Sequence, residues 1–148
     1  RLGVPGDKPV PADIDGDGKE DAVVFSPVEG TWTWIRSSDN RRGSLRWGFS
    51  TDIPVRGDFD GDGKADISLY RPSEGTWYSI RSSDGQIQAT QFGQADDIPV
   101  AGKYDADSKT DIAIFRPSEG TWYVLKSTDG TVRTIQFGTI GDIPLSVR

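Results

Sequence analysis

The residues best placed to do chemistry in this chain are aspartates at alternate positions. In Asp58-Phe-Asp60-Gly-Asp62-Gly-Lys64-Ala-Asp66, four carboxylates fall within nine residues, and Gly63 stands where the backbone must turn sharply. Carboxylates at that density repel one another unless a cation sits among them, and Asp is a poor strand former. Hard divalent cations, Ca²⁺ above all, take about six to eight oxygens, which a short loop can supply from alternate side chains and a carbonyl. The spacing predicts Asp58, Asp60, Asp62 and Asp66 as side-chain ligands, with the Lys64 carbonyl as a further oxygen. The same string occurs at Asp13-Ile-Asp15-Gly-Asp17-Gly-Lys19-Glu-Asp21, predicting Asp13, Asp15, Asp17, Asp21 and the Lys19 carbonyl as a second set. The closing carboxylate comes at the ninth position and no flanking helices are evident, so these are not EF-hands.

Composition narrows the chemistry further. The chain has 148 residues, enough for one domain. It contains no Cys and no His, which removes disulfides, thiolate sites, the usual zinc ligands and the commonest general base. With no unique acid/base pair among its repeated carboxylates, it is read as not an enzyme. A net charge of −6 argues against a nucleic-acid partner, and no stretch has the length of a membrane span. Eight of the 23 acidic residues are the aspartates of the two loops, so much of the acidity is site charge.

The elements that must position these loops recur with them. Pro9, Pro54, Pro99 and Pro144 are in register at a spacing of 45 residues, as are Gly3, Gly48, Gly93 and Gly138. The chain divides into a tail of a preceding repeat at 1–9, repeats at 10–54, 55–99 and 100–144, and the start of a fourth at 145–148. The second repeat reads as four strands: 53–56, 67–70, 76–81 and 87–92. Pro-Ser-Glu-Gly and Ser-Asp-Gly supply the hairpin turns between them. Gly and Pro are too frequent for an amphipathic helix. Both faces of the second and third strands are apolar, which suits antiparallel sheets covered on two sides by other sheets, as in radially stacked propeller blades. The expected fold is all-β, three tandem four-stranded propeller blades whose ring is incomplete in one chain. Closure then needs a longer array or a homo-oligomer.

Asp-x-Asp-x-Asp-Gly-x-x-Asp after a short strand, with Phe92-Gly93 and Phe137-Gly138 before the crossovers, resembles the FG-GAP/VCBS repeats of calcium-binding β-propellers, integrin α-like blades in their bacterial secreted version. The resemblance covers essentially the whole chain. It implies calcium in both intact loops, a secreted, extracellular or cell-surface location, and a non-catalytic module for adhesion or for binding a carbohydrate or protein. Alternatives are a lectin with sugar sites between blades, or an ancillary domain of a secreted polysaccharide-active enzyme. The third loop, 103–111, departs from the pattern: Lys103 replaces the first Asp and Ser108 the turn Gly. A lysine ammonium can neutralise Asp105, Asp107 and Asp111 in place of an ion, so no high-affinity metal is expected there.

Other residues carry weaker signals. Trp32, Trp77 and Trp122 repeat in register and read as filling between blades. Trp34 does not repeat, its counterparts being Ser79 and Val124. With Asp39, Arg41 and Arg42, in a turn that departs from Ser-Asp-Gly, it marks a candidate ligand patch.

Overall fold

The computed structural model describes residues 2–145. Twelve strands form three four-stranded antiparallel sheets, and no helix occurs among the described residues. The first sheet is β1 (Lys8–Pro9), β2 (Ala22–Ser26), β3 (Thr31–Ile35) and β4 (Arg42–Arg46). The second is β5 (Ile53–Val55), β6 (Ile67–Arg71), β7 (Thr76–Ile80) and β8 (Ile87–Gln91). The third is β9 (Ile98–Pro99), β10 (Ile112–Arg116), β11 (Thr121–Leu125) and β12 (Val132–Gln136). Within each sheet the strands pair in chain order. No helix long and apolar enough to cross a membrane is present among the described residues.

The repeat limits of the sequence frame cut across the sheets. Residues 8 and 9 are not the tail of an absent unit. Lys8 pairs with Phe25 and Pro9 with Val24, which makes them the first strand of the first sheet. The boundary at 54/55 likewise cuts through β5, whose three residues pair together with β6. At the other end, residues 143–145 form no strand. The rest of the expected fourth start, 146–148, lies outside the described residues.

Alternation along the strands explains how the sheets meet. On β6, Leu69 points to one face and Tyr70 to the other, and both are fully buried. Leu69 joins Val10, Val23, Phe25 and Trp32 of the first sheet in one core cluster. Tyr70 joins Val55, Trp77 and Ile114 of the third sheet in another. The middle sheet is therefore covered on both sides, as its two apolar faces require. The indole N–H of Trp32 donates to the Trp47 carbonyl at 3.0 Å, and that of Trp77 to Phe92 at 2.8 Å. These bonds satisfy the one polar atom of each buried ring. Trp122 makes the same bond to Phe137 at 3.1 Å, but no further sheet covers it among the described residues and it is only half-buried. The first strands come together: residues of β1, β5 and β9 line a common groove of about 400 Å³.

Candidate metal centre

Each acidic loop joins the first and second strands of a sheet and is closed by backbone pairing at its base. Asp21 N donates to Ala12 O at 2.9 Å, Asp66 N to Gly57 O at 2.8 Å, and Asp111 N to Gly102 O at 2.7 Å. Between these closures the intact loops need left-handed residues. Gly16 and Gly18 have φ of +82° and +84°, and Gly61 and Gly63 of +82° and +90°, a region closed to most side chains. The third loop carries Ala106 and Ser108 at the matching positions, neither with positive φ, so its backbone takes a different path.

The first aspartate of each intact loop organises it. Asp13 accepts the amides of Gly16 at 2.6 Å and Gly18 at 2.8 Å. Asp58 accepts those of Gly61 at 2.6 Å and Gly63 at 2.9 Å. The next two aspartates take amides two residues on: Asp15 from Asp17, Asp17 from Lys19, Asp60 from Asp62 and Asp62 from Lys64. The result is two triads, Asp13/Asp15/Asp17 and Asp58/Asp60/Asp62, each offering carboxylate oxygens within 4.8 Å of one another.

The fourth aspartate of each set stands apart from these triads. Asp21 is buried and accepts from Ile14 N at 2.9 Å and Ser37 N at 2.7 Å. Asp66 does the same with Phe59 N at 2.7 Å and Ser82 N at 2.8 Å. These carboxylates fasten the acidic loop to the turn between the third and fourth strands. Burial pushes Asp66 above the usual carboxylate range, although the Ser82 and Phe59 amides pull the other way. At Asp60, burial acts upward too, but the Ser83 hydroxyl and amide outweigh it and hold the carboxyl low. The Lys19 and Lys64 carbonyls accept no hydrogen bond among the described residues, which leaves their oxygens available.

The third loop also gathers a triad, Asp105, Asp107 and Asp111. Lys103, expected to neutralise it, is exposed and makes no ion pair with it among the described residues. Lys103 instead lines a groove together with Asp13, Asp58 and Lys64 of the other two loops.

Residues outside the loop complete the site, and sequence reading missed them. Ser38 donates its hydroxyl to Asp15, Ser83 to Asp60 at 2.7 Å, and Thr128 to Asp105 at 2.9 Å. Ser82 reaches Asp62 at 2.8 Å and Ser127 reaches Asp107 at 2.8 Å. The available signal was the recurrence of Ser-Ser/Thr-Asp at 37–39, 82–84 and 127–129. The loops also touch one another. Ala65 N donates to Asp13 O at 2.6 Å, Thr110 N to Asp58 O at 2.7 Å, and the Lys64 and Lys109 stems lie over Gly16 and Gly61.

The residues of the candidate ligand patch lie on β3, on β4 and in the turn between them. Trp34 is partly buried against the first core cluster, and its ring lies over Gly43, where a methyl group would overlap it. It is a packing residue. Asp39 is occupied by Arg36 and by the Arg41 amide, and those bonds hold it below the usual carboxylate range. Arg41 is largely exposed and Arg42 exposed. Asn40 has φ of 60°, matching the glycines at 85 and 130, so this turn differs from the others in chemistry and not in backbone.

Chemically, the triads are sets of hard oxygen donors, with no nitrogen or sulfur ligand, and could hold a metal ion of oxygen-preferring type. No protein-family model matches the chain, and no curated protein matches it, so the reading of the site stands on its residues and their geometry.

Proposed function

We propose that this chain is a calcium-stabilised, non-catalytic binding module built on propeller-type FG-GAP/VCBS repeats, displayed outside the cell, with a carbohydrate or protein partner. The observation that carries the reading is the repeated acidic triad: carboxylates held by glycine amides within reach of one ion, twice with the same loop backbone. The donor set fits a hard cation. Asp13, Asp15, Asp17 and the Lys19 carbonyl would hold one ion, and Asp58, Asp60, Asp62 and the Lys64 carbonyl a second. Asp21 and Asp66 close each loop behind them. The ion supplies positive charge that neutralises the cluster and ties loop to turn, which stabilises the fold by linkage.

Support for propeller blades comes from the order of packing. Each sheet lays one face on the next, and the three first strands share one groove, as inner strands arranged around an axis would. The half-buried Trp122 and the exposed Phe137 leave the last sheet a face for a further blade, supplied by a longer array or by a second copy.

The test is solution mass and thermal midpoint with and without a chelator. The reading requires a lower midpoint in the chelator. An unchanged midpoint removes structural calcium, and turnover of a polysaccharide by pure protein replaces the binding module with an enzyme.

A further inference from the structure

Between the second and third sheets lies a cleft of about 200 Å³. It contains a buried polar pair, Ser68 and Ser79, with hydroxyls 2.7 Å apart. At the corresponding positions the first sheet carries Val23 and Trp34, and the third Ala113 and Val124. In the first sheet the Trp34 ring packs into the cluster shared with the second sheet and uses the room left by Gly43. The second sheet has Ser79 in place of that ring and Gln88 in place of Gly43, so it has lost the plug and gained an amide at the rim.

The lining has a charge opposite to that of the molecule. Lys109 and Lys126 line the cleft together with Thr90 and Leu125, and no Asp or Glu does, in a chain of net charge −6. Lys126 is held by Asp129 at 3.2 Å. Lys109 makes no ion pair among the described residues. The volume lies below the ~300–1,000 Å³ of drug-sized sites, which limits the occupant to a single small ring.

We propose that this cleft binds one carboxylate-bearing polyhydroxylated ring, of the uronic-acid class. Its carboxylate is matched to the Lys109 ammonium, its hydroxyls to Ser68, Ser79, Gln88 and Thr90, and its apolar edge to Leu125. The site rests on the carbohydrate-partner reading above, whereas it uses none of the loop carboxylates, so it and the calcium reading can fail separately.

The experiment is a titration of the full chain with D-glucuronate at fixed calcium, read by the amide shifts of Ser79, Gln88 and Gly130. Saturable shifts are expected, with D-glucose binding about tenfold more weakly and Lys109→Gln losing about tenfold in affinity for glucuronate. The double variant Ser79→Trp/Gln88→Gly transplants the Trp34–Gly43 pair and should abolish binding. Absence of saturable shifts at these amides overturns the site. Equal affinity for glucose overturns the carboxylate assignment, as does an unchanged affinity in Lys109→Gln. Undiminished binding in a folded double variant places the ligand elsewhere and overturns the cleft.

Discussion

The Asp52 carboxylate receives the Arg71 guanidinium side-on, at 2.9 Å from Nε and 2.8 Å from the terminal nitrogen. Asp52 is fully buried and lies on the crossover from the first sheet, whereas Arg71 ends β6, so the pair fastens the crossover to the second sheet. The guanidinium also lies over the rings of Phe49 and Tyr78, at 4.2 and 4.7 Å. Asp97 and Arg116 repeat the arrangement at the next crossover, at 2.9 and 3.0 Å. In the first sheet Ser26 stands at the arginine position. Removing one partner of a buried, bidentate pair leaves the other charge uncompensated. Asp52→Ala should therefore lower the unfolding free energy by about 3–5 kcal/mol, measured by denaturant titration. A double-mutant cycle with Arg71→Ala should show strong coupling.

The three repeated tryptophans should differ in what they contribute. Trp32 is 1% exposed and Trp77 4%, because a following sheet covers each. Trp122 makes the same hydrogen bond without that cover. Trp32→Ala should cost about 3–5 kcal/mol, and Trp122→Ala roughly half as much, since less apolar area leaves water there. Equal losses would contradict the face-to-face packing of successive sheets.

That difference shows what could be read in advance. The strands and hairpins were legible because Pro-Ser-Glu-Gly and Ser-Asp-Gly punctuate runs of β-branched and aromatic residues. The triads were legible because their ligands lie within one short loop. The boundary drawn at Pro9 divided a first strand that the 45-residue register with 53–56 already implied, since Lys8 and Pro9 pair with Phe25 and Val24. Ser38 and Ser83 escaped because they approach Asp15 and Asp60 across 23 residues of chain. The packing role of Trp34 depends on Gly43 on the adjacent strand, a partner visible only once the register is known. The Asp52–Arg71 pair recurs in register with Asp97–Arg116, but its meaning depends on where the crossover passes.

Alkaline pH offers a separate check on the interface between the second and third sheets. Burial pushes the Tyr70 hydroxyl up to about 12, with Asp97 adding to the rise and Arg116 opposing it. The hydroxyl donates to the Gln94 carbonyl at 2.6 Å. An unfolded tyrosine titrates near ~10, so the folded chain keeps a proton that the unfolded chain gives up. This contribution to stability is complete below about pH 10 and is lost as the pH rises through about 12. Unfolding free energy should fall across that window, and Tyr70→Phe should remove one proton's share of the slope. An identical slope in the variant would contradict the burial of this hydroxyl.

The central claim is that two acidic loops capture calcium, and calorimetric titration of calcium into chelator-stripped protein tests it most directly. The proposed extracellular setting calls for affinities of about 10⁻⁴ to 10⁻³ M. At a tenfold excess over the dissociation constant each site adds about 1.4 kcal/mol, enough for two sites to raise the thermal midpoint by about 5–10 °C. The account predicts two ions per chain, one lost in Asp60→Ala and neither lost in Asp105→Ala, because the third loop lacks the left-handed glycines that shape the other two. No bound calcium, or equal losses from Asp60→Ala and Asp105→Ala, would contradict it.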